Sequence, residues 1–398
     1  MKSISRKAPA QSSAEAQRRL AYFNQRRDEI VSTIRELVEI ESPSDNKAAA
    51  DRLAETVAQQ FSQLGGDVQI HQAKDFGNHL QVDFPGNAAA KPLMLLGHYD
   101  TVYPLGTLAT MPCRAVGNKL TGPGVLDMKS GIALVLHALA ALQDWHKEAC
   151  YGGLPRPVTV LLVSDEEVGS DSSRAITESL AKKAAAVLVL EPSYGLKGAV
   201  KTARKGVGEY LVRVTGKASH AGLDFQKGVN AILELARQIE KISSFTDLKK
   251  GLTVNVGTVS GGSRTNVVPA EATAQVDVRI ARIKDAAGID KKMRSLRPFN
   301  RKCKIEITGG INRPPMERTA GVAALYAQAA AIARDLGWKL GEAAVGGGSD
   351  GNFTASMGIP TLDGLGAVGD GAHAPHEHIL ISELPRRAAL IAGLIEAV

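Results

Sequence analysis

The sequence predicts an α/β protein in which a mostly parallel, doubly wound sheet is interrupted by a smaller inserted α+β domain. Apolar strand-like runs alternate with helical patterns up to about residue 206, and half-buried alternation of apolar and polar residues replaces them over 207–316. A helical pattern returns at Gly321, so the first domain is expected to be discontinuous, over 1–206 and 317–398. The length of 398 residues and the hydrophobic fraction of 44% suit two globular domains.

The first domain is predicted to begin with two helices and to continue with alternating strands and helices. Apolar residues at helical spacing extend over 13–41, and a second helix over 47–64 ends at a pair of glycines. Because sheets of this kind bind ligands at the carboxyl ends of their strands, a site is expected in the loops that follow the strands. The remaining strands are expected at 68–70, 79–82, 91–96, 158–163 and 186–190, and the helices at 130–145, 173–183 and 321–336.

The inserted domain is predicted to be a four-stranded antiparallel sheet with two helices on one face. It carries 19 lysine and arginine residues against 10 aspartate and glutamate residues. A basic cap would favour substrates that carry carboxylates, and a basic solvated surface is an equally good interpretation. The strands are expected at 210–214, 253–257, 272–279 and 303–307, and the helices at 229–242 and 285–297.

Composition also bears on compartment and partners. The net charge is +7, but aromatic residues make up only 4% of the chain, and we expect no nucleic-acid partner. The apolar stretches are expected to be shorter than the roughly 20 residues of a membrane-spanning helix, and the first thirty residues carry charges throughout. We therefore expect a cytoplasmic protein with no membrane contact. Cys113, Cys150 and Cys303 lie far apart and are expected to be reduced and structural.

Five short segments place metal-binding side chains in predicted loops, most of them directly after an apolar run. Two histidines and three carboxylates of this kind make a site for two divalent cations that share one carboxylate. Alone, an acidic pair usually lies in a solvated turn, and a lone histidine is usually structural. Their joint occurrence favours a metallohydrolase. The segments are GHYDT at 97–101, GPGVLDMK at 122–129, SDEEVG at 164–169, LEPS at 190–193 and GAHAPHE at 371–377.

The chemistry of a dinuclear centre assigns an expected role to each ligand. Asp127 is the expected bridge, because the glycine-rich turn before it lets the backbone approach closely. His98 and Glu191 would complete one cation site, and Glu167 and His373 the other. Such a centre lowers the pKa of a bridging water, which then attacks the substrate.

Two further carboxylates are expected to act beside the cations. Asp100 lies two residues after His98, so it can accept the second N–H of that histidine and fix its tautomer. Glu166 is adjacent to Glu167, and a pair in which one member ligates and the other is free suits the reaction. The free glutamate can act as general base and later deliver the proton to the leaving amine.

These segments, together with GKASHAG and GGGSDGN, resemble the dizinc metallopeptidase family that includes bacterial glutamate carboxypeptidase, succinyl-diaminopimelate desuccinylase, acetylornithine deacetylase and aminoacylase. The likeness extends from about residue 28 to residue 398 and is greatest to glutamate carboxypeptidase, in HYDTVYPLGTLATMP and GPGVLDMK. The resemblance implies two zinc ions per chain, with cobalt or manganese as alternatives, and the ligand, base and orienting roles given above. It also implies a cis peptide bond between Asp127 and Met128.

The resemblance further implies residues that contact the substrate. His220 corresponds to a histidine that the family supplies from the partner subunit to stabilise the oxyanion, which implies a homodimer joined through 207–316. Without the resemblance, His220 would be interpreted as a surface histidine and Arg279 as a solvent-facing strand residue. The positions that correspond to contacts with the substrate carboxylate or carbonyl are Asn266, Arg279, Gly348 and Ser349.

Three positions refine the comparison with the family pattern. Ser349 stands where the carboxypeptidase branch usually has threonine, which should keep the backbone contact but alter side-chain packing. Pro123 stands where the desuccinylase and deacetylase branches commonly have arginine, which favours the carboxypeptidase branch. His376 and His378 compete with His373 as ligands, and we place them outside the ligand set.

The sequence therefore predicts a zinc-dependent amidohydrolase that releases a C-terminal amino acid, glutamate or a similar residue, from a small peptide or N-acyl conjugate. An N-acyl-amino-acid deacylase of the desuccinylase or deacetylase type is the nearest alternative. A metal-binding scaffold without catalysis is a more distant one, because Glu166 and all five ligand positions are intact.

Overall fold

The structure, a computed structural model, describes residues 9–148 and 153–398 and divides into two compact units. The predicted insertion 207–316 lies inside the second unit, which also takes in 345–348, because Lys205 N–H donates to the Val345 carbonyl. Gly348 therefore belongs to the second unit and Ser349 to the first. The first unit comprises Met1–Thr202, Arg318–Ala344 and Ser349–Val398, and the second Ala203–Glu317 and Val345–Gly348.

The helices and strands are numbered in chain order. The helices are α1 Pro9–Gln25, α2 Arg27–Glu39, α3 Lys47–Gln63, α4 Ser130–Glu148, α5 Arg174–Ala181, α6 Ala231–Ser243, α7 Ala286–Arg294, α8 Ala320–Asp335, α9 Gly351–Ser356 and α10 Leu384–Ala397. The strands are β1 Asp67–His71, β2 His79–Phe84, β3 Leu93–His98, β4 Arg114–Val116, β5 Lys119–Thr121, β6 Val158–Val163, β7 Ala186–Val189, β8 Val200–Arg204, β9 Gly206–Thr215, β10 Thr253–Gly261, β11 Glu271–Ile280, β12 Lys304–Arg313, β13 Glu342–Val345, β14 Thr361–Leu362, β15 Gly369–Asp370 and β16 His378–Leu380.

A six-stranded sheet in the order β1-β2-β6-β3-β7-β14 forms the centre of the first unit. Strands β6, β3, β7 and β14 pair in parallel, whereas β2 runs antiparallel to both of its neighbours. Leu93 and Leu95 of β3 face one hydrophobic core, and Met94 and Leu96 face a second core on the opposite side. The predicted mostly parallel sheet covered on both faces is confirmed, with an antiparallel hairpin at one edge.

The second unit contains a separate four-stranded sheet in the order β10-β11-β9-β12, antiparallel throughout. In β9, buried Tyr210 and Val212 alternate with exposed Glu209 and Arg213, as expected for a sheet covered on one face. Helices α6 and α7 share the hydrophobic core on the covered face. The predicted antiparallel sheet with two helices is therefore confirmed.

Two expectations from the sequence need correction. The single helix predicted over 13–41 is two helices, because Arg26 leaves helical geometry at φ −101° and ψ 13°. The segment Val125–Trp145 has the length and composition of a membrane span, contrary to expectation, but 83% of an apolar 18-residue window within it is buried inside the structure, as in a core helix. Cys113 and Cys303 are free thiols, and Cys150 lies outside the described residues.

Candidate metal centre

Three neighbouring parallel strands bring predicted site residues to one edge of the six-stranded sheet. His98 is the last residue of β3, and Glu166 and Glu167 follow β6. Glu191 follows β7, which pairs with β3 on its other side. Because the three strands are buried and parallel, their carboxyl ends hold these side chains next to one another.

Asp127 reaches the same edge from the kinked segment Val125–Lys129 that leads into α4. Its peptide bond to Met128 is cis. A side chain at Gly131 would collide with the carbonyl oxygen of Leu190, so glycine allows the start of α4 to lie against the strand end that carries Glu191. The segment is thus held beside the ends of the strands.

His373 comes from a turn between the two short strands β15 and β16. Its backbone has a φ of +63°, which is uncommon for a residue with a side chain. Strand β16 pairs with β5, which precedes the Asp127 segment, and this pairing brings the two segments together. The side chain of His373 is 49% exposed, in contrast to the buried His98.

The two carboxylate oxygens of Asp127 face different histidines. Oδ1 lies 3.2 Å from Nε2 of His98, and Oδ2 lies 3.4 Å from Nε2 of His373. His98 Nε2 is also 3.4 Å from Oε1 of Glu191, and His373 Nε2 is 3.1 Å from Oε2 of Glu167. The arrangement has the form of two adjacent ligand groups that share one carboxylate.

The charges of the cluster fit cations. Burial would lower the pKa of His98, but hydrogen bonds to Asp100, Asp127 and Glu191 raise it well above its usual value. Hydrogen bonds to Asp127 and Glu167 likewise raise the pKa of His373 to about 10. The carboxylates therefore favour positive charge at this position, and cations bound between the same atoms would compete with protons on the histidines. Imidazole and carboxylate ligands suit zinc, cobalt and manganese.

Asp100 contacts the backbone of the acidic turn as well as the ring of His98, which was the only contact expected. The carbonyl oxygen of Asp100 lies 3.0 Å from Nδ1 of His98, and its carboxylate Oδ1 lies 3.4 Å from the same nitrogen. Its carboxylate also accepts the backbone N–H groups of Glu166 and Glu167, at 3.3 and 3.2 Å, and the hydroxyl of Ser44 at 2.7 Å. The residue contacts both the histidine and the acidic turn.

Glu166 is buried beside one ligand group. Atoms of Glu166, His98 and Glu191 that could ligate all lie within 4.8 Å of one another, as do those of His98, Asp127 and Glu167. The adjacent glutamates therefore point toward different parts of the cluster. Glu166 thus lies with His98 and Glu191, and Glu167 lies with His98 and Asp127.

Lys201 and Glu377 lie at the centre without having been assigned a role from the sequence. Lys201 in β8 is buried, with Nζ 3.9 Å from Oε2 of Glu191. Glu377 is buried and accepts the N–H of Asp127 at 3.0 Å. A signal for Glu377 was available, since it ends the GAHAPHE segment. No sequence motif pointed to Lys201, because the residues of β8 match none of the segments that predicted the site.

Residues expected to contact substrate lie in several places. In the second unit, His220 and Asn266 are exposed and close together, since His220 bridges to Val267. Arg279 in β11 forms an ion pair with Asp277. Its Nε lies 3.0 Å from Oδ1 of Asp277, and its Nη2 lies 2.8 Å from Oδ2. Its guanidinium thus has a partner within the same strand.

The turn at 348–349 is tied into its surroundings. The Gly348 carbonyl accepts from Nη1 of Arg204 at 3.0 Å. Ser349 is buried, and its hydroxyl donates to Oδ2 of Asp363 at 2.6 Å. The Ser349 side chain is therefore engaged inside the first unit. Of the competing histidines, His376 is exposed, and His378 is buried in β16.

Comparison with known proteins gives a consistent result. Residues 94–397 match the peptidase family M20/M25/M40. The chain is 33% identical to carboxypeptidase G2 from Pseudomonas sp. strain RS-16, over 92% of this chain and 88% of that protein. Two solved structures have a similar fold. One is an M20 family metallo-carboxypeptidase from Sulfolobus solfataricus, with a TM-score of 0.72 and 18% sequence identity; the match covers 92% of this chain and 98% of that one. The other is a dinuclear metal-binding M20 peptidase from Bacillus subtilis, with a TM-score of 0.67 and 14% sequence identity; the match covers 94% of this chain and 98% of that one.

Proposed function

The chain belongs to peptidase family M20/M25/M40, and from this membership we propose that it is a dinuclear metal-dependent carboxypeptidase. It would release a C-terminal amino acid, glutamate or a similar acidic residue, from a small peptide or N-acyl conjugate. The observation that carries the proposal is the position of Asp127, whose two oxygens face His98 and His373. The 33% identity to carboxypeptidase G2 supports the carboxypeptidase branch.

In this proposal, five side chains hold two divalent cations, with zinc the first candidate and cobalt or manganese the alternatives. Two such cations lower the pKa of a shared water and polarise the substrate carbonyl. Asp127 would contact both cations. His98 and Glu191 would hold one, and Glu167 and His373 the other. Asp100 would keep His98 in the tautomer that ligates through Nε2, since Nδ1 faces the Asp100 carbonyl oxygen at 3.0 Å.

Glu166 would transfer the protons of the reaction. As the general base, its carboxylate takes a proton from the attacking water, and as the general acid it then delivers that proton to the leaving amine. Its burial next to His98 and Glu191 supports this role, since a base must lie within hydrogen-bonding reach of the water. An intact base also argues against a scaffold that has lost catalysis.

His220 would stabilise the oxyanion from the partner subunit. Its Nδ1 accepts the N–H groups of Gly222 and Leu223, each at 3.1 Å, so its proton lies on Nε2. An exposed Nε2–H is a donor that a developing negative charge can use. Asn266 lies close to His220 and could contact the same substrate, while Arg279, Gly348 and Ser349 remain candidates for carboxylate or carbonyl binding.

We also propose a homodimer joined through 207–316. Strand β10 is an edge of the four-stranded sheet, so its unpaired backbone groups could extend that sheet into a second subunit. Exposed apolar side chains on β10 and α6 support this arrangement: Val259 is 58% exposed and Leu233 is 56% exposed. A cytoplasmic location, with no nucleic-acid or membrane partner, remains a prediction.

The proposal is tested with metal-reconstituted protein and a matched set of substrates. One series keeps an N-acyl group and varies the C-terminal residue among glutamate, aspartate, glutamine and alanine. The other keeps glutamate and varies the acyl group between succinyl, acetyl and an amino acid. Selectivity for the C-terminal residue with tolerance of the acyl group supports the carboxypeptidase. The reverse pattern would support an N-acyl-amino-acid deacylase, and hydrolysis no faster than by Glu166→Gln would contradict both.

A further inference from the structure

Glu377 is a fully buried carboxylate at the centre of a hydrogen-bond network. Oε1 accepts the backbone N–H groups of Leu126 and Asp127, at 2.7 and 3.0 Å. Oε2 accepts the N–H of Gly124 at 3.2 Å and the hydroxyl of Tyr103 at 2.6 Å. Four donors on one carboxylate offset part of the cost of burying it.

These four contacts connect three segments that carry predicted ligands. Tyr103 belongs to the loop that follows His98, and Gly124, Leu126 and Asp127 belong to the segment of the bridge. Glu377 itself lies four residues after His373 in the turn between β15 and β16. The Tyr103 hydroxyl also lies 3.1 Å from the carbonyl oxygen of Ala374, within the same turn.

We propose that Glu377 is a positioning residue that fixes Asp127 relative to His373, so that one carboxylate can serve both cation sites. The inference rests on the proposed dinuclear centre. It concerns the backbone of the ligand segments, because the side chain of Glu377 contacts N–H groups and a hydroxyl, not the ligating atoms.

The geometry explains how the effect would reach the cations. Fixing the amide of Asp127 fixes the direction in which its carboxylate leaves the backbone. Without the Glu377 carboxylate, three backbone N–H groups in a buried turn would lose their acceptor, and the turn would rearrange to recover one. Because His373 lies in the same turn as Glu377, the site formed by Glu167 and His373 should be affected most.

Four variants test the proposal. Glu377→Gln keeps the shape and an amide oxygen that can accept two of the N–H groups, and Glu377→Ala removes every acceptor. Tyr103→Phe removes only the link to the His98 loop. Asp370→Asn, at an exposed carboxylate in the neighbouring strand β15, is the matched control. Zinc is titrated into each metal-free chain against a competing chelator, bound metal is counted per chain, and thermal unfolding is followed with and without zinc.

We expect Glu377→Gln to weaken zinc binding at the proposed site of Glu167 and His373 by roughly 10- to 100-fold, the range typical of residues that support metal ligands. The loss of zinc affinity should be larger in Glu377→Ala and smaller in Tyr103→Phe, and Asp370→Asn should keep wild-type affinity. The stabilisation that zinc gives to thermal unfolding should decrease in the same order. Partial recovery by glutamine relative to alanine would show that the acceptor is what matters.

Two results would overturn the inference. One is wild-type zinc affinity at both sites in Glu377→Gln and Tyr103→Phe. The other is lower stability of the metal-free variants with unchanged zinc affinity, which would make Glu377 a purely structural residue. If Glu377→Ala does not fold, the two milder variants decide. A wild-type chain that binds no zinc pair would instead contradict the proposed function, so the two failures can be told apart.

Discussion

The backbone N–H of Glu166 donates to Oδ1 of Asp100 across 3.3 Å. The two residues follow different strands, and this contact fixes the acidic turn against the loop that carries His98. Since Oδ2 of Asp100 also accepts the N–H of Glu167, the carboxylate holds the backbone of both glutamates. In the proposed mechanism, this contact would let the two neighbouring residues of the turn take different roles, with Glu167 as a ligand and Glu166 as the base.

Replacement of Glu166 separates proton transfer from metal binding. If Glu166 only moves protons, Glu166→Gln should retain two cations and lower turnover by roughly 10²- to 10⁴-fold, the range typical of acid and base catalysis. Turnover is measured on the best substrate of the screen, and metal content is measured on the same sample. Near wild-type turnover with full metal content would remove Glu166 from the mechanism.

Replacement of the bridge should affect both cation sites together. Because the oxygens of Asp127 face His98 and His373, Asp127→Ala would remove a ligand from each proposed site, whereas Glu167→Ala would remove one from a single site. We expect metal analysis to find no tightly bound pair in Asp127→Ala and one retained cation in Glu167→Ala. Two cations per chain in Asp127→Ala would contradict the assignment of the bridge.

Much of the fold could be predicted because buried strands leave a strong signal. The run 158–163 is apolar except for Thr159 and coincides with β6, and the alternation over 272–279 lies within β11. The carboxyl ends of such strands could then be located, and with them His98, Glu166 and Glu191. In those segments, sequence position and spatial position are linked by the parallel order of the strands.

The part that could not be predicted depends on short elements and long-range pairing. Strands β15 and β16 have two and three residues, too few to show a period, yet they position His373. Glu377 contacts Asp127 across 250 positions of the chain, and no local pattern reports such a contact. The break between α1 and α2 at Arg26 could not be predicted either, because no proline or glycine lies next to it in the sequence.

A buried histidine predicts how stability changes with pH. Burial lowers the pKa of His79 below its usual value of 6.5, and its ring contacts Ser164 and the hydroxyl of Ser172. As the pH falls through about 6.5, the unfolded chain takes up a proton at this position that the folded chain resists, so stability is lost toward acid. In chemical unfolding of the metal-free protein between about pH 5 and pH 8, His98, His373 and Glu377 act in the opposite direction, because their pKa values are raised. The contribution of His79 is therefore measured as the difference in pH dependence between the wild type and His79→Gln.

His79→Gln should lose less stability toward acid than the wild type, and His71→Gln, at a more exposed position on the neighbouring strand β1, serves as the control. Some dependence should remain in His79→Gln, because burial also lowers the pKa of His137. An unchanged slope in His79→Gln would show that its protonation is not linked to folding.

The position of the His220 proton leads to a test of the dimer. Because two backbone N–H groups donate to Nδ1, the exposed Nε2–H is the donor available to a substrate. Loss of one oxyanion donor typically lowers turnover by about 10²- to 10³-fold, which we expect for His220→Ala.

If His220 acts across the subunit interface, then mixing His220→Ala chains with Glu166→Gln chains should restore activity at one of the two sites of each mixed dimer. That site combines an intact Glu166 from one chain with an intact His220 from the other. Mixed dimers can be isolated with two different affinity tags, which also demonstrates that subunits have exchanged. Exchange without recovered activity would show that the histidine does not act in the partner's site.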